Sequence, residues 1–323
     1  MEATPNPVAA ALAAGENLVL DGGLATDLEA RGFDLADPLW SAKVLLEAPD
    51  AIEAVHLDYF RAGARVATTA SYQASPAGLA RRGLSGQEAL DVVRLSVRLA
   101  HSARRRRLAE QPGSPELFIA GSVGPYGAYL ADGSEYRGDY RLTRGQFLAF
   151  HRPRAEALLE AGADVLACET IPSGDEALAL ADLVAELGAT AWLSVTLRDA
   201  EHLSDGTPVH RLAGELTGRP GLAAVGVNCV PPALASRGLA QLARSTDLPL
   251  VVYPNAGEPY DPDTRAWGSA HDTAHDTAHD GEEHDAGVLA SRAGEWLGLG
   301  ARLVGGCCRT TPVDIAALAC AVQ

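Results

Sequence analysis

Three of the five cysteines stand where chemistry is feasible. Cys229 ends the run at 223–228 (AAVGVN), and the adjacent pair Cys307-Cys308 follows the run at 302–306 (RLVGG). Three thiolates with no histidine at equivalent places suit a tetrahedral Zn²⁺ ion, with Zn–S distances of about 2.3 Å. Three protein ligands leave a fourth position open, as in catalytic rather than structural zinc sites. The same cysteines would also serve as small buried apolar groups, and spacing alone does not separate the two readings. Cys168, inside an apolar run, and Cys320, among Ala and Val, are expected in the core.

Other chemistry-bearing residues also follow apolar runs. Asp21 precedes Gly22-Gly23, Ser71-Tyr72 follows 65–70 (RVATTA), and Ser122 to Tyr126 follows 117–121 (LFIAG). Glu169-Thr170 follows 164–168 (DVLAC), and Asn255 lies just past 249–253 (PLVVY). With 17–21 (NLVLD) and 191–196 (AWLSVT), these make eight strand candidates rich in Val, Leu and Ala with little polar alternation. That pattern is expected of parallel strands covered on both faces. Amphipathic stretches at 49–62, 86–110, 143–161, 174–187 and 311–321 lie between or after them and predict helices. Glycines at 63, 162 and 300 sit where each helix would turn into the next strand. Strand–helix alternation of this kind predicts one (β/α)8 TIM barrel spanning 1–323, with an open doubly wound sheet as the competing topology. In a barrel all the residues above meet at the C-terminal mouth.

Composition narrows the function classes. The chain has 323 residues, 47% hydrophobic and 21% charged, with a formal charge of −16. So acidic a surface argues against nucleic acid or an anionic membrane as partner. No run approaches the roughly 18 apolar residues of a membrane span. The apolar stretch at 8–14 is preceded by Glu2 and followed by Gly15-Glu16-Asn17, which does not fit a secretory signal. An odd, low cysteine count argues against a disulfide framework and for a reducing cytoplasm.

On these motifs the chain resembles the zinc-dependent homocysteine S-methyltransferases, within them the bacterial and plant-type enzymes that use S-methylmethionine. The matching segments are 20–26 (LDGGLAT), 70–75 (ASYQAS), 121–140 (GSVGPYGAYLADGSEYRGDY), Cys168-Glu169-Thr170, Gly226-Val227-Asn228-Cys229, Tyr253-Pro254-Asn255 and 305–312 (GGCCRTTP). The resemblance implies transfer of a methyl group from S-methylmethionine, or from S-adenosylmethionine, to homocysteine, giving methionine. It implies that Cys229, Cys307 and Cys308 hold the zinc and keep the acceptor thiol ionised, and that Asp21 and Glu169 hold an ammonium group. Selenocysteine or selenohomocysteine remains open as acceptor. Trp40 and Tyr72 are candidates to face the donor's cationic sulfur; Trp40 would equally well pack under a loop. Asn255 would orient a substrate carboxylate or cap a turn. Tyr126 and Tyr129 would close over substrate or pack at the rim.

Two readings from other classes compete. A barrel hydrolase would use zinc to activate water, but such sites favour imidazole and carboxylate ligands. A redox or zinc-storage role leaves Asp21 and Glu169 without a purpose. His271, His275 and His279 recur every four residues, yet the acidic, low-complexity segment 268–287 offers nothing to bury and reads as a flexible surface insertion. Arg104 to Arg107 reads as a solvated helix face. The oligomeric state is left open.

Overall fold

All eight apolar runs become strands. They are β1 (Leu18–Val19), β2 (Val66–Thr68), β3 (Phe118–Val123), β4 (Val165–Ile171), β5 (Ala191–Val195), β6 (Leu222–Asn228) and β7 (Leu250–Tyr253). A short antiparallel pair, β8 (Tyr260–Asp261) and β9 (Ala266–Trp267), precedes the last, β10 (Ala301–Val304). The computed structural model describes residues 6–35, 41–256, 260–261, 266–267 and 287–323. Trp40 and all of the segment 268–287 except Gly287 therefore lie outside the described residues.

The parallel ladder runs β1-β10-β7-β6-β5-β4-β3-β2, and a parallel bridge between Leu20 and Val66 joins its two ends. Across that seam the Asp21 N–H donates to the Val66 carbonyl at 3.0 Å and the Arg65 N–H to the Val19 carbonyl at 2.7 Å. The ring is closed, so the chain is a (β/α)8 barrel and not an open sheet.

Alternation along the strands sorts the core into two layers. Leu18, Leu20, Phe118, Ala120, Val165, Ala167, Trp192, Ala224, Val251, Tyr253 and Leu303 pack together as one buried cluster. Their neighbours Val19, Ile119, Leu166, Leu193, Val225, Val252 and Val304 belong to a second cluster shared with the helices. The first is the barrel interior. Helix Pro7–Ala13 contributes Val8, Ala11 and Leu12 to it. Asn6 caps that helix and donates from Nδ2 to the Asp164 carbonyl at 2.6 Å, just before β4, so the N-terminal mouth is plugged.

The helices fall where the amphipathic stretches predict them: Pro49–Arg61, Gly86–Glu110, Arg144–Glu160, Gly174–Leu187 and Pro312–Val322. Capping boxes start three of them, from Ser85, Thr143 and Thr311. Gly63 and Gly162 adopt φ of 105° and 95° at the helix-to-strand turns, a region that L side chains enter only with strain. Arg104 pairs with Asp164 at 2.9 Å and Arg106 with Glu53 at 2.8 Å, a helix surface held by ion pairs. Cys320 corrects its expectation: it is exposed, because Ile315, Leu318 and Ala319 form the inward face of the last helix. No helix among the described residues is long and apolar enough to cross a membrane.

Candidate active site

The Sγ atoms of Cys229, Cys307 and Cys308 all lie within 4.8 Å of one another at the C-terminal mouth. Cys229 is 3.8 Å from Cys308, and Cys307 is 4.0 Å from Cys308. A tetrahedral zinc with Zn–S bonds of about 2.3 Å spaces its sulfurs about 3.8 Å apart, so the donor set fits such an ion. Cys229 is buried and the other two are half-buried, which leaves the cluster open on one side. Hydrogen bonds from Cys307 and Cys308 hold the Cys229 thiol well below its ordinary pKa, and that interaction raises the other two.

Backbone contacts between neighbouring strand ends bring these sulfurs together. The Cys229 N–H donates to the Tyr253 carbonyl at 3.2 Å, the Cys307 N–H to Pro254 at 2.8 Å, and the Ala256 N–H to Cys308 at 3.1 Å. On the other flank the Gly23 N–H donates to Thr310 Oγ1 at 3.0 Å, and that hydroxyl donates to the Cys307 carbonyl at 2.7 Å. A Cβ on Gly23 would meet the Cys307 carbonyl oxygen at 2.7 Å. The Asp-Gly-Gly element thus has a structural reason: the two-cysteine loop lies directly against it.

Asp21 and Glu169 are both buried at the mouth. Asp21 accepts from the Thr68 N–H at 2.7 Å. Burial raises its carboxyl to about 8, and the Glu169 charge adds to the rise. Glu169 accepts from the Ser122 hydroxyl and from Tyr253, whose own hydroxyl accepts from Trp192 Nε1 at 3.1 Å. Burial again dominates, and its carboxyl stands at about 7. Two buried acids raised in this way could accept a cation, which would restore the charge stabilisation lost with water.

Over the thiols lies the loop after β3, folded into helices Tyr126–Leu130 and Ser134–Arg137. Tyr136 places its hydroxyl 3.5 Å from Cys229 Sγ. Tyr126 and Tyr129 do not point there; they pack with Phe150 at ring separations of 5.0 and 5.5 Å, so rim packing is the outcome for both. Tyr136 was not singled out from sequence, and the only signal for it was its place in the 121–140 motif. Tyr72 sits beneath the loop: a Cβ on Gly124 would meet its carbonyl oxygen at 2.6 Å and its ring at 2.7 Å. Burial lifts the Tyr72 and Tyr136 phenols well above their ordinary pKa, so both are O–H donors at neutral pH.

A buried polar network anchors the loop from behind. Arg154 donates to the Tyr72 carbonyl at 2.9 Å and to the Gly124 carbonyl at 2.5 Å, and contacts His151 Nδ1 at 3.0 Å. His151 Nε2 meets Glu176 at 2.8 Å, and Glu176 accepts from the Tyr126 N–H at 2.6 Å. Asn255 is buried, its side chain hydrogen-bonds Cys229, and its Oδ1 has no hydrogen-bond partner. Of the residues expected from sequence, the structure gathers all at this mouth except Trp40, which lies outside the described residues.

Fold and site together define a barrel built around a three-thiol metal-binding group. Residues 18–322 match the homocysteine S-methyltransferase family. Over 314 residues the chain is 55% identical to homocysteine S-methyltransferase from Escherichia coli (strain K12), covering 97% of each. It is 46% identical over 318 residues to homocysteine S-methyltransferase YbgG from Bacillus subtilis (strain 168), again covering 97% of each. The crystal structure of the E. coli homocysteine methyltransferase MmuM, metallated form, matches with a TM-score of 0.85 at 52% identity, covering 98% of this chain and 99% of that one. The chain belongs to the homocysteine S-methyltransferase family and is a methyltransferase with a thiol acceptor.

Proposed function

We propose that the protein moves a methyl group from S-methylmethionine to the sulfur of homocysteine, forming methionine, with Zn²⁺ held by Cys229, Cys307 and Cys308. The observation that carries this reading is the meeting of three thiols at tetrahedral spacing with two buried carboxylates. When bound, the ion supplies positive charge that strips the proton from an added thiol at neutral pH. Asp21 and Glu169 hold the ammonium group of homocysteine. Tyr72 turns an aromatic face to the cationic donor. Asn255 holds the Cys229 side chain in place.

The transfer is one in-line displacement. The acceptor thiolate forms a bond to the methyl carbon while the donor's carbon–sulfur bond breaks, its electron pair returning to the donor sulfur. Thiolate and sulfonium both end as neutral thioethers, and no general acid is needed. The chain's own work is alignment and exclusion of water, for which the loop over Cys229 is suited. Three anionic thiolates would make a bound zinc a weaker Lewis acid, which disfavours the hydrolytic reading. Five free cysteines suit a reducing compartment, the cytoplasm.

The test is methionine formation from homocysteine and S-methylmethionine, with and without a chelator, beside Cys308→Ala. Loss of activity in both supports the reading; activity untouched by both overturns it. Methionine formed from S-adenosylmethionine alone would change the donor and keep the chemistry.

A further inference from the structure

One carboxylate at the mouth is left unused by this reading. Glu135 lies on helix Ser134–Arg137, next to Tyr136, and its Oε2 is buried with no hydrogen-bond partner. Among the charges acting on it is Cys229, and Glu135 is in turn the largest electrostatic influence raising the Tyr72 phenol, after burial. The helix that carries this buried oxygen also brings the neighbouring Tyr136 hydroxyl to 3.5 Å from Cys229 Sγ, so Glu135 belongs to the same mouth as the thiols. The helix bearing it is fixed closely: a Cβ on Gly127 would meet the Glu135 nitrogen at 2.5 Å, and one on Gly138 would meet the Pro172 carbonyl oxygen at 2.9 Å. Arg137, the cation beside it, is engaged at 2.9 Å by Asp139. Burial is the main cause that pushes the Glu135 carboxyl up to about 7, outweighing its own backbone N–H and the Arg137 charge, both of which lower it.

We propose that Glu135 binds the α-ammonium group of the methyl donor, so that the mouth receives two amino-acid head groups, the acceptor's at Asp21 and Glu169 and the donor's at Glu135. The inference rests on the methyl-transfer reading above and adds the donor's docking point. A carboxylate against the sulfonium itself would oppose catalysis, because that charge shrinks towards the transition state and the contact would favour the ground state. The ammonium keeps its charge throughout, so a carboxylate there strengthens binding evenly. No proton moves at Glu135 during the transfer.

The experiment compares wild type, Glu135→Gln and Glu135→Asp with S-methylmethionine and with 4-(dimethylsulfonio)butanoate, which lacks the amino group. Expected for Glu135→Gln is a rise in the S-methylmethionine KM of roughly 10- to 100-fold, the loss of one charged hydrogen bond. Its kcat and homocysteine KM stay within about twofold by the uniform-binding argument, Glu135→Asp recovers part, and the deamino donor is used equally by wild type and variant. A raised homocysteine KM, or an equal loss with the deamino donor, overturns the proposal. If wild type methylates nothing, the transfer reading has failed. Calorimetric titration of S-methylmethionine into the zinc-loaded protein still decides the docking point: weaker binding to Glu135→Gln supports it, equal binding overturns it.

Discussion

Asn228 and Thr170 hold each other across two strand ends. The Thr170 N–H donates to Asn228 Oδ1 at 2.8 Å, and Asn228 Nδ2 donates back to Thr170 Oγ1 at 2.7 Å. Thr170 needs this clamp, because its φ is +59°, a region in which a β-branched residue is strained. The two residues adjoin Cys229 and Glu169. The pair therefore ties a thiol to a carboxylate, and Cys229 itself shares the unusual geometry with a φ of +55°.

Removing the clamp should cost both stability and aim. Asn228→Ala is expected to lower unfolding free energy by about 2 to 4 kcal/mol, for two buried hydrogen bonds and a stranded Thr170 N–H. The homocysteine KM should rise with it. Thr170→Gly in the same background relieves the left-handed strain and should restore about 1 kcal/mol. Urea unfolding and initial rates of the single and double variants check this; an Asn228→Ala protein as stable as wild type would refute the clamp.

Tyr136 offers a second, milder perturbation. Its hydroxyl lies against Cys229 Sγ, where a hydrogen bond to a ligating sulfur would support the metal from outside. Tyr136→Phe is expected to keep one metal per chain but to weaken its retention by about 10-fold, the low end of such outer contacts. Competition with a zinc chelator measures it. Unchanged retention would remove Tyr136 from the metal's support.

If Asp21 and Glu169 hold the head group as proposed, their protonation sets a pH dependence for its binding. With Asp21 at about 8 and Glu169 at about 7, the free site holds protons at pH 6. An ammonium group favours the charged carboxylates, so binding releases protons and must strengthen as pH rises from 6 to 8. Methionine, which has no thiol to titrate, isolates the effect. Its affinity should rise by up to about 10-fold per pH unit over that range for each proton released, and Asp21→Asn should flatten the slope.

His56 gives the opposite kind of titration, one of stability. It is fully buried in helix Pro49–Arg61 with both ring nitrogens unpartnered, and burial lowers its pKa from 6.5 to about 4. The neutral ring belongs to the fold. Its favourable state is complete above pH 6.5, and stability drains away as pH falls towards 4, because the unfolded chain takes up the proton first. Between pH 7 and 4.5 the cost is about 2 to 3 kcal/mol. Denaturant titrations at the two pH values should show His56→Leu losing less than wild type by that amount; parallel losses would contradict the assignment.

Much of this molecule is written locally in its residues. Eight apolar runs, the amphipathic stretches between them and the polar residues just past each run needed only side-chain patterning, because parallel strands covered on both faces have no polar face to alternate. The same patterning placed Cys229, Cys307, Cys308, Asp21 and Glu169 at strand ends, and the motifs around them carried the family resemblance. Tertiary structure alone decided the rest. Closure rests on one seam between Leu20 and Val66, residues 46 positions apart by their numbering, and no local pattern encodes such a pairing. Which tyrosine of the β3 loop reaches the thiols was settled by how that loop folds: Tyr126 and Tyr129 found Phe150, and Tyr136 found Cys229. Cys320 sits in an apolar stretch yet faces solvent, since the last helix has one inward side and that position is on the other. Glu135 carries no signal in sequence beyond its place in the 121–140 motif. Only the burial of its Oε2, which depends on packing between distant segments, sets it apart as a carboxylate with an unpartnered oxygen.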